Sequence, residues 1–205
     1  MDTISEQALA HFTAKSAARE TALRQTREVI RTSANAIRAV HRREFVQART
    51  MLQHAHGLLR ETAAVLAGHQ DIYHAGFVHD AAKEFAEASL TLALVAGEPL
   101  PDPETLGVEY QAYLNGAGEA VGELRRHLLD LIRHGDIARC EAVLEWMDDI
   151  YAVLVTMDFP EAVTGGLRRT TDAVRGILER TRGDLTTALA QARLERKLAE
   201  WEQRL

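Results

Sequence analysis

The chain is short of the residues that interrupt helices. Only four of its 205 residues are proline, at Pro99, Pro101, Pro103 and Pro160, so none falls in the first 98 positions. Proline in a helix interior costs about 3 kcal/mol, and its absence there favours long helices. Aromatic residues make up 5% of the chain. Runs of β-branched residues alternating with polar ones are missing, which excludes a core built from sheets. The single cysteine, Cys140, cannot close an internal disulfide. No apolar run approaches the roughly 18 residues of a membrane span, and no charged segment at the start leads into an apolar stretch with a cleavage site. The expected compartment is therefore the reducing cytoplasm, with no membrane partner. No glycine-rich loop follows a strand, which argues against nucleoside-triphosphate chemistry.

What remains is rich in Ala, Leu, Glu and Arg, long enough for one buried core, and without a linker-like composition shift. The reading is all-α: a single domain over residues 1–205, built as a bundle of seven long antiparallel helices, with residues 1–12 a candidate flexible N-terminus. The first helix is expected over about Thr13 to Glu44, where Leu23, Ile30 and Ile37 recur every seven residues with Thr26, Ser33 and Val40 between them. Such a seam calls for a partner helix. The second is expected from Phe45 to about Ala67, stopped near Gly68, and the third from near Asp71 to about Ala96. Gly97 to Pro103, GEPLPDP, is the clearest loop.

The fourth helix, about Val108 to His134, carries an apolar stripe through Tyr110, Leu114, Ala117, Val121, Leu124, Leu128 and Leu131. Gly135 and Asp136 then read as a stop and an N-cap opening the fifth, which runs to about Met157. Phe159-Pro160 breaks the chain before a sixth over about Glu161 to Arg180. Arg182-Gly183-Asp184 reads as one more stop and cap before the seventh. The charged end of that helix, LERKLAEWEQRL, suits a peripheral or intersubunit position.

A net charge of −6 does not suit a nucleic-acid ligand unless positive charge is concentrated locally. The first helix offers such a concentration. A rotation of about 100° per residue places Arg24, Arg27, Arg31, Arg38 and Arg42 within a sector of roughly 60°. Glu20 and Glu28 flank Arg24 at four residues, so ordinary surface ion pairs also account for the stripe. Guanidinium in place of ammonium at all five positions suits phosphate, because its planar fork offers paired donors.

Two sets of carboxylates are candidates for chemistry. Glu84 and Glu87 are three residues apart and share a helix face, with Asp80 a turn earlier. Glu84 falls within the apolar stripe formed by Phe77, Ala81, Ala88, Leu92 and Val95, where a carboxylate is costly unless paired, protonated or bound to metal. A salt bridge to a neighbouring helix is the alternative. Glu119 and Glu123, four apart, point away from the leucine stripe in company with Arg126 and Asp130, as a solvated face would. Against that stand Gly116, Gly118 and Gly122, each costing the helix up to about 1 kcal/mol, which suggests that something approaches the backbone closely. Two carboxylates from each of two helices would suit Mg²⁺ or Mn²⁺. None of the nine histidines forms a metal pair at helical spacing, and Cys140 has no identifiable base beside it.

The order of several segments resembles the Translin and Translin-associated factor X (TRAX) family from about Ala17 to Leu189. They are REVIRTSANAIRAVHRRE, GFVHDAAKEFAEA, YLNGAGEAVGELRR, HGDI, MDDIYAVLVTMDFP, LRRTTDAVR and TRGDL. The resemblance implies the Translin fold, a seven-helix subunit that assembles, usually as an octamer, around single-stranded RNA or DNA. It implies an endoribonuclease of the TRAX-like kind, in which Glu84 and Glu87 match a catalytic E-x-x-E segment and Glu123 matches a third carboxylate. Glu119 stands where the family pattern has an aspartate. It further implies a self-sufficient homo-oligomer, because this chain carries the full acidic set that Translin-type subunits lack. A non-catalytic shell binding single-stranded nucleic acid is the alternative.

Overall fold

The computed structural model describes residues 1–204, and no strand occurs among them. They form two compact units that divide between Gly116 and Ala117, within a continuous helix.

The first unit contains α1 (Asp2–His41), α2 (Phe45–Val65), α3 (Gln70–Tyr73), α4 (Gly76–Ala96), α5 (Pro103–Leu106) and the opening turns of α6 (Tyr110–Arg133). Its centre is the packing of α1 against α2 and α4. The buried face of α1 runs through Ala22, Thr26, Val29, Ser33, Ala36 and Val40, at spacings of three and four. These are small side chains, which let neighbouring helices approach closely, and Leu23 and Ile30 of the expected seam lie at its half-buried rim. Two buried hydroxyls bond within their own helices: Thr26 Oγ1 donates to the Ala22 carbonyl at 2.9 Å and Ser89 Oγ to that of Phe85 at 2.8 Å. The later turns of α4, from Ala88 to Val95, are buried at every position.

The second unit holds the rest of α6, a 3-10 turn at Ile137–Arg139, α7 (Cys140–Val155), α8 (Glu161–Thr164) and α9 (Leu167–Glu202). Here α7 packs against α9, burying Val143, Met147 and Leu154 on one and Leu167, Val174, Leu178 and Leu185 on the other. Arg182 donates to both carboxylate oxygens of Asp148 at 2.7 Å. Arg125 reaches Asp184 at 2.8 Å and Thr181 Oγ1 at 2.9 Å.

The all-helical expectation holds, but the division into seven helices does not. Among the described residues there are six long helices, three single α-helical turns and one 3-10 turn. The expected sixth and seventh helices are one, because Arg182-Gly183-Asp184 passes through without a break. A lone glycine costs a helix only about 1 kcal/mol. Burial of Leu178, Thr181 and Leu185 on either side outweighs that, and Asp184 takes up Arg125 instead of capping. The expected third helix is interrupted at Ala75, whose extended backbone separates α3 from α4 and lets both Ile72 and Val78 enter the same apolar cluster. Asp136 makes no capping bond; it faces Arg139 at 3.6 Å, and a 3-10 turn intervenes before α7. At the other end α1 begins at Asp2, so the candidate flexible segment 1–12 is helical.

Candidate nucleic-acid and metal site

All five arginines of the predicted stripe are exposed, four on α1 and Arg42 at its C-cap. Three are engaged by neighbours. Arg31 grips Glu28 through Nε at 3.0 Å and Nη2 at 2.7 Å, Arg42 does the same with Glu44, and Arg38 donates to Asn35 Oδ1 at 2.7 Å. Hydrogen bonding from Arg31 holds the Glu28 carboxyl below its ordinary value, and Arg42 does so for Glu44. Arg24 contacts only the Thr21 hydroxyl at 3.4 Å, and neither it nor Arg27 has an ion pair among the described residues. The stripe thus contains both masked and available guanidinium groups, on a rigid helical support.

On α4, Glu84 and Glu87 stand one turn apart and each offers a carboxylate oxygen within 4.8 Å of the other's. Both are half-buried, as is Lys83 beside them, whereas Asp80 is exposed. Position explains this: Ala81, Phe85, Ala86 and Ala88 alternate with the glutamates and are buried, so the carboxylates emerge at the edge of the apolar face. Neither side chain is fully buried or fully solvated.

Gly116 of α6 meets this turn of α4 directly. A Cβ there would lie 2.7 Å from the Lys83 carbonyl oxygen and 2.9 Å from the Glu87 amide nitrogen. The two backbones therefore touch at the segment that carries both glutamates, and only glycine permits it. Gly118 has a comparable role within the second unit, where a Cβ would lie 2.3 Å from Thr170 Cγ2. Gly122 differs, with nothing within 4 Å. The expectation of close backbone approach is met at two of the three glycines.

Glu119 and Glu123 follow Gly116 by three and seven residues on the same helix. Neither is the fully solvated residue that its distance from the leucine stripe suggested: both are half-buried, Glu123 with 26% of its side chain exposed and Arg126 Nη1 at 3.9 Å. The donor chemistry of all four glutamates fits a hard divalent cation. The same face of α6 continues to Arg126 and Arg133, seven residues apart and beyond Gly122.

No protein-family model matches the chain. An uncharacterized protein of Methanocaldococcus jannaschii is 27% identical over 186 residues, covering 90% of this chain and 82% of that protein. Two solved structures of AfC3PO, one of them a complex with duplex RNA, are 34% identical and cover 92% of this chain and 97% and 98% of theirs, with TM-scores of 0.84 and 0.83. The apo-NeC3PO crystal structure is 17% identical with a TM-score of 0.81, a likeness of fold.

Proposed function

The chain belongs to the C3PO family of the Translin/TRAX type, and from that premise we propose that it is a homo-oligomeric, RNA-binding endoribonuclease that depends on Mg²⁺ or Mn²⁺. The observation that carries the reading is the half-buried pair Glu84 and Glu87, their oxygens within 4.8 Å of each other on the turn of α4 against which Gly116 is pressed. A structural ion pair needs one carboxylate, whereas two on one turn with a further two on the face of α6 make an all-oxygen donor set. When bound, a cation of this class activates water and neutralises charge on the phosphodiester.

In this reading Glu84, Glu87, Glu119 and Glu123 hold the cation, and their partial burial limits the water that competes for it. Arg24, Arg27, Arg31, Arg38 and Arg42 hold the phosphate backbone, whose affinity is then set by charge and falls with salt. Few aromatic side chains are available to stack on splayed bases. That favours recognition of backbone over base, and it extends the substrate from single-stranded RNA to the duplex form that AfC3PO holds. Single-stranded DNA shares the same phosphates and is expected to bind without being the preferred substrate. Assembly of several copies, with an octamer as the family precedent, is supported by apolar side chains exposed near the two ends of the chain, among them Ile4, Leu9 and Phe12 on α1 and Leu194, Leu198 and Trp201 on α9. Light scattering of the purified protein measures it.

End-labelled single-stranded and duplex RNA incubated with the protein in Mg²⁺, in Mn²⁺ and in EDTA tests the activity. Cleavage is expected with either cation and none in EDTA, and Glu84→Gln and Glu123→Gln should bind RNA but leave it intact. Binding without cleavage in every condition would instead establish a non-catalytic RNA-binding shell. If both variants cut as fast as the native protein, the carboxylates are structural.

A further inference from the structure

The face of α6 that bears Glu119 and Glu123 does not end with them. At about 100° per residue, Glu119, Glu123, Arg126, Asp130 and Arg133 fall within a sector of roughly 80°, so two carboxylates are followed along one stripe by two guanidinium groups. Arg126 and Arg133 are exposed over 57% and 74% of their side chains. Between them lies an open cavity of about 530 Å³ lined by Gly122, Arg125, Arg126, Leu129, Asp130 and Arg133. Its floor includes Gly122, where no atom lies within 4 Å of a would-be Cβ. This glycine weakens the helix without serving the packing of the subunit, and its open side is the cavity.

Three guanidinium groups line that space against one carboxylate. Arg125 is committed, since Asp184 and Thr181 hold it at 2.8 and 2.9 Å. Asp130 lies 3.3 Å from Arg133 and steadies it, and Arg126 stands 3.9 Å from Glu123, too far for a tight pair. Both outer arginines can swing to a new acceptor without uncovering a buried charge.

We propose that this cavity is a phosphate-binding groove in which Arg126 and Arg133 clamp the RNA backbone beside the carboxylate site. The inference rests on the reading of the protein as an RNA-binding nuclease and adds to it a second contact surface, distinct from the α1 stripe. The two arginines are about 10 Å apart along the helix axis, at 1.5 Å per residue. They contact separate phosphates on one strand, and Arg126, a turn beyond Glu123, takes the one nearer the scissile bond. Their role is positioning: they fix the register in which the backbone crosses the carboxylates and carry no sequence preference.

Fluorescence anisotropy of labelled RNA in EDTA separates binding from cleavage. Arg126→Gln and Arg133→Gln should each weaken binding roughly tenfold, the loss of one charge-assisted hydrogen bond, and each should lower the slope of log affinity against log salt by about one. Arg175→Gln, exposed on α9 and facing Asp172, serves as the control and should change neither. In Mg²⁺ the Arg126 variant should lose kcat as well as affinity, whereas the Arg133 variant should raise KM alone. Native protein that fails to bind RNA would refute the functional reading itself. Native protein that binds, with both variants equally tight and unchanged in salt slope, would refute the groove. Loss of oligomer mass in the variants at unchanged affinity would assign the face to contacts between copies, and would also overturn the proposal.

Discussion

Gly116 is where one atom decides the local structure. Any side chain would drive a Cβ into the Lys83 carbonyl and the Glu87 amide, both backbone groups that cannot rotate away. Gly116→Ala is expected to cost about 1–3 kcal/mol, as overpacking does, and to displace the turn bearing Glu84 and Glu87. Denaturant unfolding measures the first effect, and loss of metal-dependent cleavage under native conditions the second. Gly118→Ala should be rescued in part by Thr170→Ser, because the clash is with a methyl group. Arg43 presents the opposite case: with φ at 61° it is the described non-glycine residue in the left-handed region, closing the turn between α1 and α2. Arg43→Gly should raise stability by about 1 kcal/mol, read as a shift of the unfolding midpoint. That glycines in the fourth helix meant close approach could be read from their cost to the helix; that Gly122 lacks such a neighbour could not, because cost alone does not identify what is saved. Glu119 carries the sharpest test at this scale. Since the family pattern has an aspartate there, Glu119→Asp should keep metal-dependent cleavage and Glu119→Ala should lose it; equal loss in both would show that the ligand position has moved with the longer side chain.

At the scale of elements, the periodicity of the chain located the long helical stretches, although it divided α9 in two and drew the α1 seam through Leu23 and Ile30, which lie at the rim of the buried face. Leu124, Leu128 and Leu131 on α6, and Ile37 and Val40 on α1, are buried as their spacing requires. Helix ends were less legible, because a break depends on what the flanking residues pack against. Gly183 resembles Gly97 in sequence terms, yet Gly97 ends α4 in a left-handed conformation at φ 73° and Gly183 lies inside α9. The difference is tertiary: the Arg125–Asp184 bond and buried Leu185 carry α9 through. Gly183→Ala, with open space at the Cβ, is therefore expected to stabilise by about 0.5–1 kcal/mol, which thermal unfolding would detect; destabilisation would show that the helix is broken there. On α1 and at the start of α2, the lowered carboxyl values of Glu28 and Glu44 set a pH dependence of definite sign. Each pair is fully present above the unfolded carboxyl value and is lost as pH falls through the lower folded one, so Arg31 and Arg42 stay masked through the neutral range. Glu28→Gln should thus tighten RNA binding at pH 7 by releasing Arg31, and the gap from native protein should close as pH drops and the native carboxylate protonates. Unchanged affinity at neutral pH would mean that Arg31 does not face RNA.

For the whole molecule, a net charge of −6 must be reconciled with the proposed polyanionic ligand. The α1 face shows how: five arginines are gathered within one narrow sector, so positive charge is concentrated locally although the total is negative. No helix among the described residues is long and apolar enough to cross a membrane, and apolar side chains are exposed near the ends of α1 and α9. The acidic residues were legible in sequence as pairs at three and four residues, but such spacings occur on any helix; half-burial and the glycine contact raise them above that background. The central claim is that four glutamates from α4 and α6 hold one catalytic centre. Crystals soaked in Mn²⁺ and measured at its absorption edge test it most directly. An anomalous peak bonded to Glu84, Glu87, Glu119 and Glu123 oxygens at about 2.0–2.2 Å is the predicted result. A fully active protein whose crystals show no peak at these carboxylates would contradict it.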